Sequence, residues 1–196
     1  MAARRTLCVY CGSSGAVAPA YREAASALGA GLAAAGIEIV FGGGRVGLMG
    51  LLADAALAAG GRVTGIIPAR LRDAELAHPG LSELVVVAGM QERKALMAER
   101  ADAFAVLPGG IGTLDEMFEM LSWRQLGLHD KPIFLVDIDG YWATLVLLLD
   151  EIVARGFARP QIRLLFRVVP SIADLLEAVA ETPGGVGGVR DASGGA

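Results

Sequence analysis

Positive charge, long apolar runs, cysteine and lysine are all scarce in this chain, and each scarcity removes a class of function. Its 17 basic residues stand against 21 acidic ones, a net charge of −4. That balance gives no electrostatic footing for nucleic acid or an anionic membrane as the main partner. The uncharged, Ala/Gly-rich stretch 24–37 is shorter than the roughly 20 residues a spanning helix needs. The apolar run after Arg4 and Arg5 breaks off at Cys11-Gly12-Ser13-Ser14. A signal peptide would have a longer apolar core and a cleavage site. The chain therefore reads as cytoplasmic, with no membrane and no nucleic acid among its partners.

The two cysteines, Cys8 and Cys11, form a C-x-x-C. A redox pair of this spacing sits at a helix start, whereas these two belong to a first strand and the turn after it, where residues three apart face opposite ways. Zinc would need further ligands that the chain does not supply. Two buried thiols and no metal site are expected.

What is present points to one compact α/β domain. At 196 residues the chain is long enough to bury a proper core. A 54% hydrophobic composition excludes disorder for its body, and 27 glycines provide many tight turns. Short apolar runs at 6–10, 37–41 and 63–67 alternate with helical patterns at 21–34 and 47–59. This β-α-β-α-β order is that of a Rossmann-like, doubly wound, mainly parallel sheet flanked by helices. The pattern fails over 69–82, a polar segment of the kind that borders a ligand site after a strand's C-terminal end. It resumes with strands at 84–87, 103–107, 132–136 and 164–169, and helices at 90–100, 113–126, 141–155 and 171–180. The domain is expected to span 1–181. The Gly-rich tail 182–196 has nothing to bury and is expected to be disordered.

Two glycine-rich turns carry the chemistry. Gly42-Gly43-Gly44-Arg45-Val46-Gly47 satisfies G-x-G-x-x-G. A dinucleotide site also wants an acid at the end of the next strand, but that strand ends in Ile66-Ile67-Pro68. No nicotinamide cofactor is expected. The second turn lies in Phe104-Ala105-Val106-Leu107-Pro108-Gly109-Gly110-Ile111-Gly112-Thr113-Leu114-Asp115-Glu116. Here an apolar strand breaks at Pro-Gly-Gly and a helix restarts at Thr113, so backbone N–H groups and a positive helix end converge on one anion. Asp115 and Glu116 would then lie in the first helical turn. Carboxylates beside an anion hole oppose binding unless they have another task. With the turn at 12–15, these loops suggest one phosphate or nucleotide crevice. From spacing alone, Thr113-x-x-Glu116 is equally a capping box that closes a helix end. Arg93-Lys94, taken alone, reads as a solvated helix face.

Together, Met90-x-x-Arg93-Lys94 and Pro108-Gly109-Gly110-x-Gly112-Thr113-x-x-Glu116 resemble the Lonely Guy family, cytokinin-activating nucleoside 5′-monophosphate phosphoribohydrolases long labelled possible lysine decarboxylases. The resemblance covers roughly 5–180 and adds Cys11-Gly12-Ser13-Ser14, the 42–44 turn and Gly47-Leu48-Met49-Gly50. It implies Arg93 and Glu116 as catalytic residues. Lys94, Gly110, Gly112, Thr113, Leu114 and Asp115 match its substrate-binding residues, as do Glu75 in the irregular segment and Ser122, where the family usually has threonine. Ser13, Gly43, Gly44 and Gly109 join them from the glycine turns. Asp115 replaces the more usual glutamate and Ile111 the more usual tyrosine.

What the resemblance implies is hydrolysis of an N-glycosidic bond, without cofactor or metal, in a nucleoside 5′-monophosphate, by a homodimer. Such cleavage passes through a cationic, oxocarbenium-like transition state that a carboxylate stabilises. The carboxylate beside the anion hole then has its task. Phosphate would sit on the glycine turn and Thr113, with Glu116 at the ribose carbon and Arg93 orienting the substrate. The decarboxylase label fails on chemistry, because a pyridoxal enzyme needs a Schiff-base lysine and an enclosing domain. Lys94 and Lys131 are the only lysines. The alternative is a carrier of the same fold that holds a nucleotide or cofactor without hydrolysing it.

Overall fold

A computed structural model describes residues 5–74 and 76–182. Their backbone runs through β1 (Thr6–Tyr10), α1 (Pro19–Ala34), β2 (Glu38–Phe41), α2 (Gly47–Ala58) and β3 (Val63–Pro68). It continues with α3 (Ala69–Asp73), β4 (Glu83–Val87), α4 (Met90–Arg100), β5 (Ala103–Val106) and α5 (Ile111–Gln125). Then follow β6 (Ile133–Val136), α6 (Ala143–Ala154), β7 (Arg167–Val169) and α7 (Ile172–Glu181), with 3-10 turns at Ile138–Gly140 and Pro160–Leu164.

The strands form one parallel sheet in the order β4-β3-β2-β1-β5-β6-β7. Helices cover both faces, which is why the central strands read as continuous apolar runs rather than as alternating patterns. Leu7 and Val9 face the layer of α1, α2 and α7. Cys8 and Tyr10 face the layer of α4, α5 and α6. The Ala/Gly content of α1 has a packing cause, since a Cβ on Gly29 would stand 2.2 Å from the Leu52 carbonyl oxygen on α2. The doubly wound, Rossmann-like single domain expected from the element order is the observed fold. Cys8 and Cys11 are both free and buried, in opposite layers. Among the described residues no helix is long and apolar enough to cross a membrane.

This strand order creates the crevice. The chain steps outward from β1 to β4, then returns to the other side of β1 as β5. The loops after β1 and β5 therefore diverge at a topological switch point, where ligands bind in open α/β sheets. Two backbone bonds tie them at their base: Leu107 N–H donates to Tyr10 O (2.9 Å) and Gly12 N–H to Pro108 O (3.1 Å).

Three local expectations change. The last strand is only Arg167–Val169, because Pro160–Leu164 winds into a 3-10 turn. The irregular segment 69–82 contains α3 and an antiparallel bridge from Ala77 to Gly44. Most consequentially, α5 starts at Ile111 on an N-cap of Gly110, with no side-chain cap. Thr113 is thus inside the helix, and Asp115 and Glu116 lie in its second turn. The capping-box reading fails on this geometry. Of the tail 182–196, Thr182 is buried and its hydroxyl donates to Ala178 O (3.0 Å). The expectation for the rest, and the structure of Glu75, lie outside the described residues.

Candidate active site

The two helices that follow β4 and β5 bring four charged side chains together. On α4, Arg93 and Lys94 are consecutive and so point about 100° apart around the helix. On α5, Asp115 and Glu116 do the same. The pairs interlock: Arg93 Nη1 stands 3.3 Å from Glu116 Oε1, and Lys94 Nζ 3.1 Å from Asp115 and 3.0 Å from Glu119. Arg93 and Lys94 are only 8% and 5% exposed. A solvated helix face is excluded.

The Arg93 guanidinium is positioned from several sides. Its Nε donates to Ile66 O (3.1 Å) and its Nη1 to Met90 Sδ (3.7 Å). Against it lies Gly42, where a Cβ would fall 1.8 Å from Nη2. The third face of the guanidinium therefore depends on glycine at that position. The sequence pattern makes the triple glycine a phosphate turn; in the structure its first member is the seat of an arginine. Gly43 adopts the left-handed region (φ +74°), with its Cα side closed off by Ile67, and Gly44 carries the bridge to Ala77.

Glu116 is 8% exposed. Burial pushes its pKa up from 4.5 to about 7, outweighing the opposite pull of Arg93, and Asp115 adds to the rise. A carboxyl so placed is half ionised near neutrality, the condition for a general base or a switchable negative charge. Lys94 behaves differently. Burial opposes its charge, but Glu119 and Asp115 hold its pKa above the ordinary lysine value. It is a fixed cation that braces α5 against α4.

Above these groups lies the N-terminus of α5. The first N–H groups of a helix have no intrahelical acceptor, and here no side chain caps them. Nothing stands within 4 Å of a Cβ position on Gly110 or Gly112, so the turn is open on that side. Gly109 is the opposite case, since a Cβ there would meet Thr113 Oγ1 at 2.1 Å and Gly12 N at 2.9 Å. It allows buried Thr113 and the β1 loop to close together. No acidic residue occupies the first turn of α5. Along the axis Glu116 lies three to six residues, roughly 4.5–9 Å, beyond the N–H groups of Gly110 to Thr113, so the carboxylate stands past the anion donors rather than among them.

The resulting cleft of about 410 Å³ is lined by Ser13, Gly44, Arg93, Gly110, Gly112, Thr113, Asp115 and Glu116, together with an apolar wall of Val46, Met49, Ile67, Leu71, Leu76 and Met90. Gly43 and Gly109 shape the turns without lining it, and Lys94 stands behind Asp115. Leu114 packs into the core layer of α5. Ser122 is exposed further along α5 and does not reach the lining. A larger hollow of about 790 Å³ at the far end of α5 is lined by Arg124, Phe157 and Arg159 but contains no carboxylate, so it offers none of this chemistry.

Gly42 and Tyr141 escaped the sequence reading. The former was visible as one of three glycines, with no signal to tell which faced the arginine. Tyr141, whose hydroxyl donates to Gly109 O at 2.6 Å, comes from the far side of β6 and has no local signal at all.

The family model described as possible lysine decarboxylase matches residues 49–179. A probable cytokinin riboside 5′-monophosphate phosphoribohydrolase of Oryza sativa subsp. japonica is 44% identical over 90% of this chain and 72% of its own length. A cytokinin riboside 5′-monophosphate phosphoribohydrolase of Arabidopsis thaliana is 43% identical over 88% and 76%. Among solved structures, the molybdenum cofactor carrier protein of Chlamydomonas reinhardtii superposes with a TM-score of 0.71 at 20% identity, over 92% of this chain and 98% of that one. That last likeness is one of fold.

Proposed function

The chain belongs to the family that the possible lysine decarboxylase model describes and that includes the cytokinin riboside 5′-monophosphate phosphoribohydrolases, and from that premise we propose that it hydrolyses the N-glycosidic bond of a cytokinin riboside or adenosine 5′-monophosphate. The products are the free base and ribose 5-phosphate. The observation that carries this reading is Glu116: a buried carboxyl with its pKa near 7, paired with Arg93 in the second turn of a helix whose N-terminal end is uncapped.

In this mechanism the 5′-phosphate rests on the N–H groups of Gly110 to Thr113. The base lies along the wall of Met49, Ile67, Leu71 and Leu76, which suits a flat purine and an apolar substituent on it. As the bond from C1′ to the base nitrogen breaks, its electron pair leaves with the base and positive charge develops at C1′. Ionised Glu116 stabilises that charge and takes a proton from the water whose oxygen bonds to C1′, and a proton passes to the departing base nitrogen, which restores the carboxylate and releases the neutral base. Arg93 keeps Glu116 oriented, and Lys94 acts through Asp115. Phosphate binding energy is spent on placing the reacting bond. The chain is taken in this reading to act in the cytoplasm as a homodimer; for the dimer, Phe118 of α5, Leu126 just after it, and Leu147 and Leu148 of α6 leave apolar surface exposed.

The decarboxylase description does not fit the residues. Lys94 is clasped by two carboxylates, and Lys131 Nζ donates to Ala98 O (2.7 Å) and Glu99 O (3.3 Å), closing the end of α4. Neither lines the cleft, so no amine is available for a pyridoxal Schiff base. The carrier alternative needs the glycine turns but not a buried acid beside Arg93. Incubation with AMP and with its prenylated analogue separates the readings. Free base and ribose 5-phosphate are expected from both nucleotides, with adenosine a poor substrate; bound but intact nucleotide would make the protein a carrier.

A further inference from the structure

We propose that Tyr141 is a positioning residue of the anion site, whose phenol locks the Gly109–Gly110 peptide so that the Gly110 N–H is presented to the substrate phosphate. The proposal rests on the phosphoribohydrolase reading of the cleft. Its basis is a single contact and the framework behind it. Tyr141 Oη donates to Gly109 O at 2.6 Å, across 32 residues of chain. The peptide plane is rigid and trans, so the Gly109 carbonyl and the Gly110 N–H point in opposite directions. Fixing the oxygen fixes the donor.

This peptide needs such a lock more than its neighbours do. It joins two glycines, which have no Cβ to hinder rotation of the plane about its flanking bonds. On Gly110 nothing stands within 4 Å of a Cβ position. Turned over, the same peptide would offer the phosphate a carbonyl oxygen in place of an N–H. The remaining donors of the α5 first turn are held by the helix; this one precedes it.

The phenol itself is held on every side that matters. Its ring packs edge-on against Tyr21 (centroids 5.8 Å apart, 75°) and Trp142 (4.8 Å, 88°). The turn that delivers it contains Asp139 at φ +53°, the one non-glycine in the left-handed region among the described residues, followed by Gly140 at φ +71°. A strained residue persists only where its surroundings over-determine it, and such sites cluster around function. Here the surroundings are clear. Trp142 N–H donates to Asp137 Oδ1 (2.7 Å), Asp137 N–H donates to Val169 O (2.8 Å), and Trp142 is buried. Tyr141 itself remains 40% exposed, so burial does not explain its position.

Tyr141→Phe keeps the ring and removes only the hydroxyl. With AMP as substrate, KM is expected to rise roughly three- to tenfold, the scale of one hydrogen bond. The dissociation constant for ribose 5-phosphate, read by calorimetry, is expected to rise by the same factor, with kcat within about twofold of the parent, because uniform binding is what has been lost. The melting temperature is expected to stay at the parent value. A variant that binds ribose 5-phosphate as the parent does would overturn the lock while leaving the phosphoribohydrolase reading intact. A parent that binds neither ribose 5-phosphate nor AMP would overturn both, since the turn would then be no anion cradle.

Discussion

Replacing Glu116 by Gln separates the demands of folding from those of catalysis, and the two are predicted to move in opposite directions. In the folded chain the carboxyl titrates near 7, against 4.5 when unperturbed. Between these values the native state holds a proton that the unfolded chain has released. Its contribution to stability is therefore fully present below about pH 4.5, falls as pH rises through the window, and is lost above 7. A shift of this size corresponds to roughly 3 kcal/mol at 1.36 kcal/mol per unit. Gln resembles the protonated acid at every pH and keeps a carbonyl oxygen beside Arg93 Nη1. The variant should match the parent's stability near pH 4.5 and exceed it at pH 8, by up to about 3 kcal/mol. For a chain of this size that is roughly 6–12 °C in Tm. Turnover should meanwhile fall by ~10²–10³, the usual loss for one electrostatic group of this kind. Thermal melts at pH 5 and pH 8, with chromatography of released adenine, read both effects. Parental kcat/KM should also climb as pH passes through about 7 and the carboxylate forms. A variant no more stable than the parent at pH 8, or one keeping over about a tenth of its turnover, would show that Glu116 is neither a destabilised acid nor the group at the reacting carbon.

Three further outcomes test the seat of Arg93, the two thiols and the oligomeric state. Gly42→Ala places a methyl 1.8 Å from Arg93 Nη2. The guanidinium must shift by an ångström or more, and kcat/KM should fall by on the order of 10²-fold while circular dichroism stays parental; unchanged kinetics would mean that the arginine's seat is irrelevant. Burial holds the Cys8 and Cys11 thiols well above the ordinary thiol range. Neither should react with a thiol reagent until the protein unfolds, and changing both to Ala should leave turnover within about twofold, a margin appropriate to side chains that take no part in the chemistry. Abolished turnover in a folded double variant would assign them a role they lack here. Light scattering tests the homodimer, expected at twice the 20.2 kDa chain mass; a monomer at micromolar concentration would refute it.

The sheet was legible because its signal is local and strong. A strand covered on both faces must be apolar at successive positions, so 6–10 and 103–107 stand out from their glycine-bounded flanks without reference to anything distant. The pairing of two motifs, around Arg93 and around Glu116, likewise marked the family and the candidate site. The start of α5 was not legible. Thr113-x-x-Glu116 satisfies the pattern of a capping box, yet the helix begins two residues earlier, because Thr113 is wanted beneath Gly109 and against the β1 loop. Tertiary contact there overrides a local preference worth about 1 kcal/mol. That displacement decides the chemistry, since it moves Glu116 from a solvated cap to a buried partner of Arg93. Local sequence likewise makes Lys94 one of a solvated pair, and burial reverses that, since long side chains look surface-seeking until two carboxylates from another helix meet them. Gly42 and Tyr141 belong to the same class: what each does depends on an atom 51 or 32 residues away. Local sequence carries the free energy of helix, strand and turn, and so determined the elements and their order. The protonation state of Glu116, the seat of Arg93 and the orientation of one glycine peptide arise from groups on separate elements that meet only once the sheet and its helices have assembled, and the folded chain alone decided them.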